Sequence, residues 1–134
     1  MGVAGAVVDA SIIVEATVGR GGARFTARAA LRQPLAAPEL LDLEVASALR
    51  RAVHQRRLEI GEADAAIRGL TALPRLARFP HVPLLPRVWA LRDNISTYDA
   101  SYVALAEALG IPLVTADRRL ARAAEPYCAV VFVE

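Results

Sequence analysis

Four acidic side chains stand where the local pattern implies the end of a secondary-structure element. Asp9 closes the valine-rich apolar run of residues 3–8, and Asp117 follows the apolar run 111–115. Asp99 falls in the first turn of a helix over 96–109, and Glu44 lies one to two turns into a helix over 39–58. Carboxylates offer only oxygen, a donor set that suits Mg²⁺, with Mn²⁺ as a substitute, rather than zinc. Two unit charges about 4 Å apart in a protein-like medium interact by ~4 kcal/mol, so gathered carboxylates without a cation are costly. A divalent ion relieves that cost, orients a phosphate and lowers the pKa of a water molecule.

Each acid also has a plainer role. Asp9 and Asp117 are suited to N-cap the helices that follow them, Asp99 to join Ser96 in a capping box, and Glu44 to sit solvated on a helix. Taken singly, caps are commoner than metal sites, and the case for chemistry rests on the four together. Other ligand types do not assemble: His54, His81 and Cys128 have no metal-ligand spacing to one another. All 16 basic residues are arginine, with no lysine anywhere. That absence excludes a Walker A phosphate loop, which places a lysine on the phosphates. It also disfavours phospho-aspartate phosphatases and receiver domains, which use one. The Gly19-Arg20-Gly21-Gly22 stretch therefore reads as a helix connection.

The elements that must position these acids follow from periodicity. Residues 3–8 read as a buried strand, 11–18 and 22–31 as short helices, and 34–38 as a brief extended piece framed by Pro34 and Pro38. In the helix over 39–58, Leu41, Val45, Leu49 and Ala52 share one face. A helix over 62–73 stops at Pro74, a short proline-limited strand is expected within 79–85, and one or two helical turns over 86–92. The helix over 96–109 closes on Gly110, and a strand over 111–115, a helix over 117–124 and a strand over 130–133 complete the chain. The alternation predicts an α/β fold with a mainly parallel sheet. Right-handed crossovers bring helix starts over the carboxyl ends of strands, so all four acids can share one edge, where open α/β sheets bind ligands.

Composition sets the remaining bounds. The 134 residues imply one domain spanning 1–134, with a core that must be aliphatic because aromatics are only 5%. One cysteine permits no internal disulfide, and the apolar start has no basic residue before it and Asp9 within it, a poor signal peptide. No apolar run approaches the ~20 residues of a membrane helix. A soluble, cytoplasmic protein with no membrane partner is expected. The net charge of +2 adds slight weight to a nucleic-acid substrate, although arginine and alanine richness also fits a GC-rich coding bias.

Four segments resemble the PIN domain of VapC-type toxins, the ribonuclease half of type II toxin–antitoxin pairs: Val7-Val8-Asp9-Ala10-Ser11; Glu44 within Leu41-Asp42-Leu43-Glu44-Val45-Ala46-Ser47-Ala48-Leu49; the run from Thr97-Tyr98-Asp99 to Ala106; and Pro112-Leu113-Val114-Thr115-Ala116-Asp117. The resemblance spans nearly the whole chain and is most specific between Tyr98 and Asp117. It implies a three-layer α/β/α PIN-like fold and a magnesium-dependent endoribonuclease that hydrolyses RNA phosphodiesters through metal-activated water. By position, Asp9, Glu44, Asp99 and Asp117 match the acidic catalytic and metal-binding residues. Ser11, Asn94 and Thr115 match polar positions that orient carboxylates or water; Asn94 reads equally as a turn residue and Ser11 as a cap. The resemblance further implies a homodimer and a small cognate antitoxin protein. Arg92 and Arg118 are candidates to hold the RNA backbone, but read better as solubilising charges. Two rivals stand beside this reading: a catalytically silent PIN-like binding module, disfavoured by four intact acids, and a phosphatase-like hydrolase with Asp9 as nucleophile, disfavoured because Ser11 sits where a second aspartate belongs.

Overall fold

A computed structural model of the chain describes residues 5–134. Its centre is β1 (Ala6–Val8), wholly buried, as an all-apolar strand covered on both faces must be. β1 pairs in parallel with β2 (Leu35–Pro38) on one side and β4 (Leu113–Thr115) on the other, with Val7 opposite Ala36 and Leu113. β3 (Leu76–Phe79) and β5 (Val130–Phe132) form the edges, giving the all-parallel order β3-β2-β1-β4-β5. The strand expected from residue 3 is seen from residue 6; residues 3 and 4, like the rest of the apolar start before Gly5, lie outside the described residues. Gly5 has φ 121°, and a Cβ there would stand 2.1 Å from the Pro34 carbonyl oxygen, which accepts the Ala6 N–H. Only glycine lets the chain enter β1 this close to β2.

α1 (Ala10–Val18) and α2 (Gly21–Ala30) connect β1 to β2, and α3 (Leu41–His54) and α4 (Ile60–Thr71) connect β2 to β3. A 3₁₀ turn (Val82–Leu84), α5 (Leu85–Ala90) and α6 (Thr97–Leu109) lead back across the sheet to β4, and α7 (Arg118–Ala124) joins β4 to β5. The chain thus winds outward from β1 in one direction and, after recrossing, outward from β4 in the other. With right-handed crossovers, α1–α4 cover one face and α5–α7 the opposite one, a three-layer α/β/α arrangement. α1 packs on α2 and α3, while α6 packs on α5, β1 and β2. The winding reverses between β1 and β4, and the connections leaving their carboxyl ends diverge there to open a crevice.

The core is aliphatic, built on Val7, Ile12, Leu41, Val45, Leu113 and Leu120, with Tyr102 its largest buried side chain. α3 buries the stripe Leu41, Val45, Leu49 and Ala52, and ends where Arg56 turns to φ 58°. α6 ends on Gly110 at φ 66°, the left-handed cap conformation glycine tolerates. The third strand is a correction to the expected segment 79–85. Pairing begins at Leu76 and stops at Phe79, because Pro80 and Pro83 lack the N–H groups a strand would donate, and Val82–Leu84 coils into the 3₁₀ turn. Among the described residues, no helix is long and apolar enough to cross a membrane.

Candidate active site

The crevice between β1 and β4 is a cavity of about 300 Å³, and Asp9, Glu44, Asp99 and Asp117 all line it. Each comes from a different element. Asp9 and Asp117 follow β1 and β4 and N-cap α1 and α7; Glu44 comes from the first turn of α3 and Asp99 from the first turn of α6. The two strand-end acids flank the switch point, while the helical pair reaches in from opposite faces of the sheet.

Asp9 is buried, at 6% exposure. Its Oδ1 accepts the Ser11 hydroxyl at 2.6 Å and its Oδ2 the Thr115 hydroxyl at 2.8 Å. The same hydroxyls stitch the strand ends together: Ser11 Oγ accepts the Ala116 N–H at 2.8 Å, and Thr115 Oγ1 accepts the Asp117 N–H at 3.0 Å. Burial pushes the Asp9 carboxyl up to about 6, with the Ser11 and Thr115 bonds opposing and the Asp117 charge adding to the rise. Asp117 combines both expected roles. Its Oδ1 caps α7 by accepting the N–H groups of Arg119 and Leu120, at 2.9 and 3.2 Å, while the residue lines the cavity.

Glu44 accepts a 2.5 Å hydrogen bond from the Tyr102 hydroxyl. Its carboxyl is raised by burial, opposed by the Tyr102 bond and reinforced by the Asp99 charge. Asp99 is likewise raised by burial, with Ser96 opposing and the Asp117 charge reinforcing. The acids therefore press on one another electrostatically as well as sharing the cavity.

Of the polar positions named from the sequence, Ser11 and Thr115 hold Asp9. Asn94 is not brought to the cavity: its amide donates to the Tyr127 hydroxyl at 3.1 Å. Tyr127 lies beneath the Arg87 guanidinium, which forms two bonds with Glu107, at 2.8 and 2.9 Å. The arginines weighed for RNA are engaged elsewhere, Arg118 with Glu134 and the Phe132 ring, Arg92 with the Trp89 carbonyl and ring. Sequence reasoning missed three charged or polar cavity residues, one of them a fifth carboxylate, Glu15 of α1. Arg51 stands two turns after Glu44 on the same side of α3, and Tyr102 stands one turn after Asp99 on α6. Helical spacing from the two acids was the signal for both.

The donor set suits a divalent cation. Asp9, Glu44, Asp99 and Asp117 supply only oxygen, as does Glu15 on the cavity wall, and Asp9, Glu44 and Asp99 are held above their ordinary pKa by burial and by neighbouring negative charge, conditions a cation relieves. Among the described residues, however, no three acidic, histidine or cysteine side chains already close on one point. The acids ring the cavity, and the fit is one of donor chemistry and charge.

Comparison with known proteins agrees with this architecture. A family profile for the PIN domain matches residues 6–126. Ribonuclease VapC1 of Mycobacterium tuberculosis is 46% identical over 131 residues, covering 95% of this chain and 96% of that protein. Among solved structures, M. tuberculosis VapC20, a sarcin-ricin loop cleaving toxin, aligns with TM-score 0.66 at 18% identity over 87% of this chain and 93% of that one. VapBC2 from Rickettsia felis, bound to a DNA fragment of its promoter, aligns with TM-score 0.67 at 14% identity over 96% of this chain and 98% of that one. From a profile that covers nearly all of the described residues and a relative matched almost end to end, the chain belongs to the PIN domain family, in its VapC branch.

Proposed function

We propose that this protein is an endoribonuclease acting as the toxin of a toxin–antitoxin pair, in which residues 1–134 form one PIN domain that hydrolyses RNA phosphodiesters with Mg²⁺, or Mn²⁺ in its place. The observation that carries the reading is the convergence of Asp9, Glu44, Asp99 and Asp117, from four separate elements, on one cavity at the sheet's switch point. The relatives named ribonuclease VapC support the reaction class. A divalent cation held by these four acids supplies positive charge for the phosphodiester and a means of acidifying water. The chain's own residues do the rest. Ser11 and Thr115 fix both oxygens of Asp9. The α7 N-terminus fixes Asp117, and Tyr102 holds Glu44. Arg51, at the cavity wall, offers the one guanidinium lining it among the described residues and is placed to meet an RNA phosphate.

The proposal includes a cytoplasmic protein, a homodimer and a cognate antitoxin protein. The VapBC2 neighbour, a complex by its name, supports the last of these. The test is cleavage of a labelled RNA by purified protein. Cleavage with Mg²⁺ that stops with chelator and resumes with Mn²⁺ is expected. Cleavage that persists undiminished in chelator contradicts the metal dependence, and a folded protein that cuts no RNA with either cation contradicts the activity.

A further inference from the structure

Glu44 differs from the other cavity acids in how it is held. Asp9 is fixed by two hydroxyls and Asp117 by two backbone N–H groups. Glu44 has the longest side chain of the four, on a helix turn that is only partly buried, and among the described residues its carboxylate has a single protein partner, the Tyr102 hydroxyl at 2.5 Å. Tyr102 is 1% exposed and anchored in the core. Its ring has few rotamers open to it, so the hydroxyl is a fixed point, whereas a free glutamate loses side-chain entropy when it is held in one place. One oxygen of Glu44 is thereby engaged, and among the described residues no donor engages the other. Asp99 lies one helical turn before Tyr102 on α6, so that helix delivers one acid itself and steadies another across the cavity, joining the layers on the two sides of the sheet.

We propose that Tyr102 is the positioning residue that holds the Glu44 carboxylate at the cavity for a divalent cation. The proposal rests on the ribonuclease reading for its purpose and on the Tyr102–Glu44 contact for its content. Tyr102→Phe keeps the ring and removes only the hydroxyl. Three readouts test it. Crystal structures of wild type and Tyr102→Phe, both without metal, are expected to show Glu44 on Tyr102 in the first and rotated away from the cavity in the second. Calorimetric titration with Mn²⁺ is expected to show affinity reduced by about 10-fold or more, the scale typical of losing a group that orients a ligand. In RNA cleavage at saturating substrate and fixed subsaturating Mn²⁺, kcat falls while KM holds. In a Glu44→Ala background, Tyr102→Phe has no further effect on Mn²⁺ affinity. The proposal is overturned if Glu44 occupies the same place in both crystals, if Tyr102→Phe binds Mn²⁺ like wild type, or if the loss is undiminished in the Glu44→Ala background. A displaced Glu44 together with a wild type that neither binds Mn²⁺ nor cuts RNA leaves the positioning contact standing and overturns the ribonuclease reading and the cation for which Glu44 is held.

Discussion

The two sides of the cavity are built differently. On the strand side, Asp9 and Asp117 stand at the ends of β1 and β4, and every tie on them is short-range: hydroxyls and N–H groups from within three residues or from the adjacent strand. On the helix side, Glu44 and Asp99 project from α3 and α6, are only half-buried, and Glu44 relies on a hydroxyl 58 residues away in sequence. The strand side is a rigid frame set by the sheet; the helix side depends on how two layers pack. Two separately built supports thus bring mutually repelling carboxylates to one cavity, a repulsion that a cation relieves.

The largest effect expected from breaking this arrangement is on the strand side. Asp9→Asn keeps the shape but removes the buried charge, and RNA cleavage should fall by more than about 100-fold, beyond the usual loss of a supporting partner. The same variant should remain folded by circular dichroism and change the response of stability to pH. In wild type the Asp9 carboxyl, raised to about 6, binds more protons when folded than when unfolded, where it titrates near 4. Glu44 and Asp99 are shifted in the same direction. Metal-free stability is therefore full below the unfolded value and falls as pH rises through the window from about 4 to about 6. A pH series of melting curves in chelator should show that fall in wild type and a shallower one in Asp9→Asn. A wild-type curve that rises across the window contradicts the crowding of the acids.

A second expectation isolates the frame from the charge. Thr115→Val leaves Asp9 Oδ2 and the Asp117 N–H without their shared hydroxyl. Burying unpaired groups costs about 1–3 kcal/mol, read as a lower denaturation midpoint in urea with an unchanged slope. Stability equal to wild type shows that water replaces the hydroxyl and that the frame is looser than drawn.

The smallest effects sharpen the contrast between the sides. Asp117 carries an observed cap, so Asp117→Ala should lose about 1 kcal/mol of stability and Asp117→Asn much less. Asp99→Asn, on the helix side, should melt at the same or a higher temperature than wild type in chelator, because one repelling charge is gone, and should gain less from Mn²⁺. An Asp99→Asn protein that is simply less stable under both conditions makes Asp99 a structural cap.

Much of this was legible in the sequence because it is local. The central strands read as apolar runs ended by acids, α6 is bracketed by Ser96 and Gly110, and the buried stripe of α3 follows its helical period. The third strand was misplaced: the prolines imply a shortened strand within 79–85, whereas pairing runs from Leu76 to Phe79, and Leu-Ala-Arg-Phe at a half-exposed edge carries little pattern. What depends on packing between distant segments was not legible. The use of Tyr102 as a donor to Glu44, the diversion of Asn94 to Tyr127 and the placement of Arg51 on the cavity wall all arise from which helix faces meet across the sheet.

The central claim, that four acids from two differently built sides act as one cation site, is tested most directly by calorimetric Mn²⁺ titration of wild type beside Asp9→Asn, Glu44→Gln, Asp99→Asn and Asp117→Asn. Saturable binding to wild type is expected, with weaker binding in every one of the four variants, from the helix side as well as the strand side. Wild type that takes up no Mn²⁺, or variants at Glu44 and Asp99 that bind it as tightly as wild type, would contradict that claim.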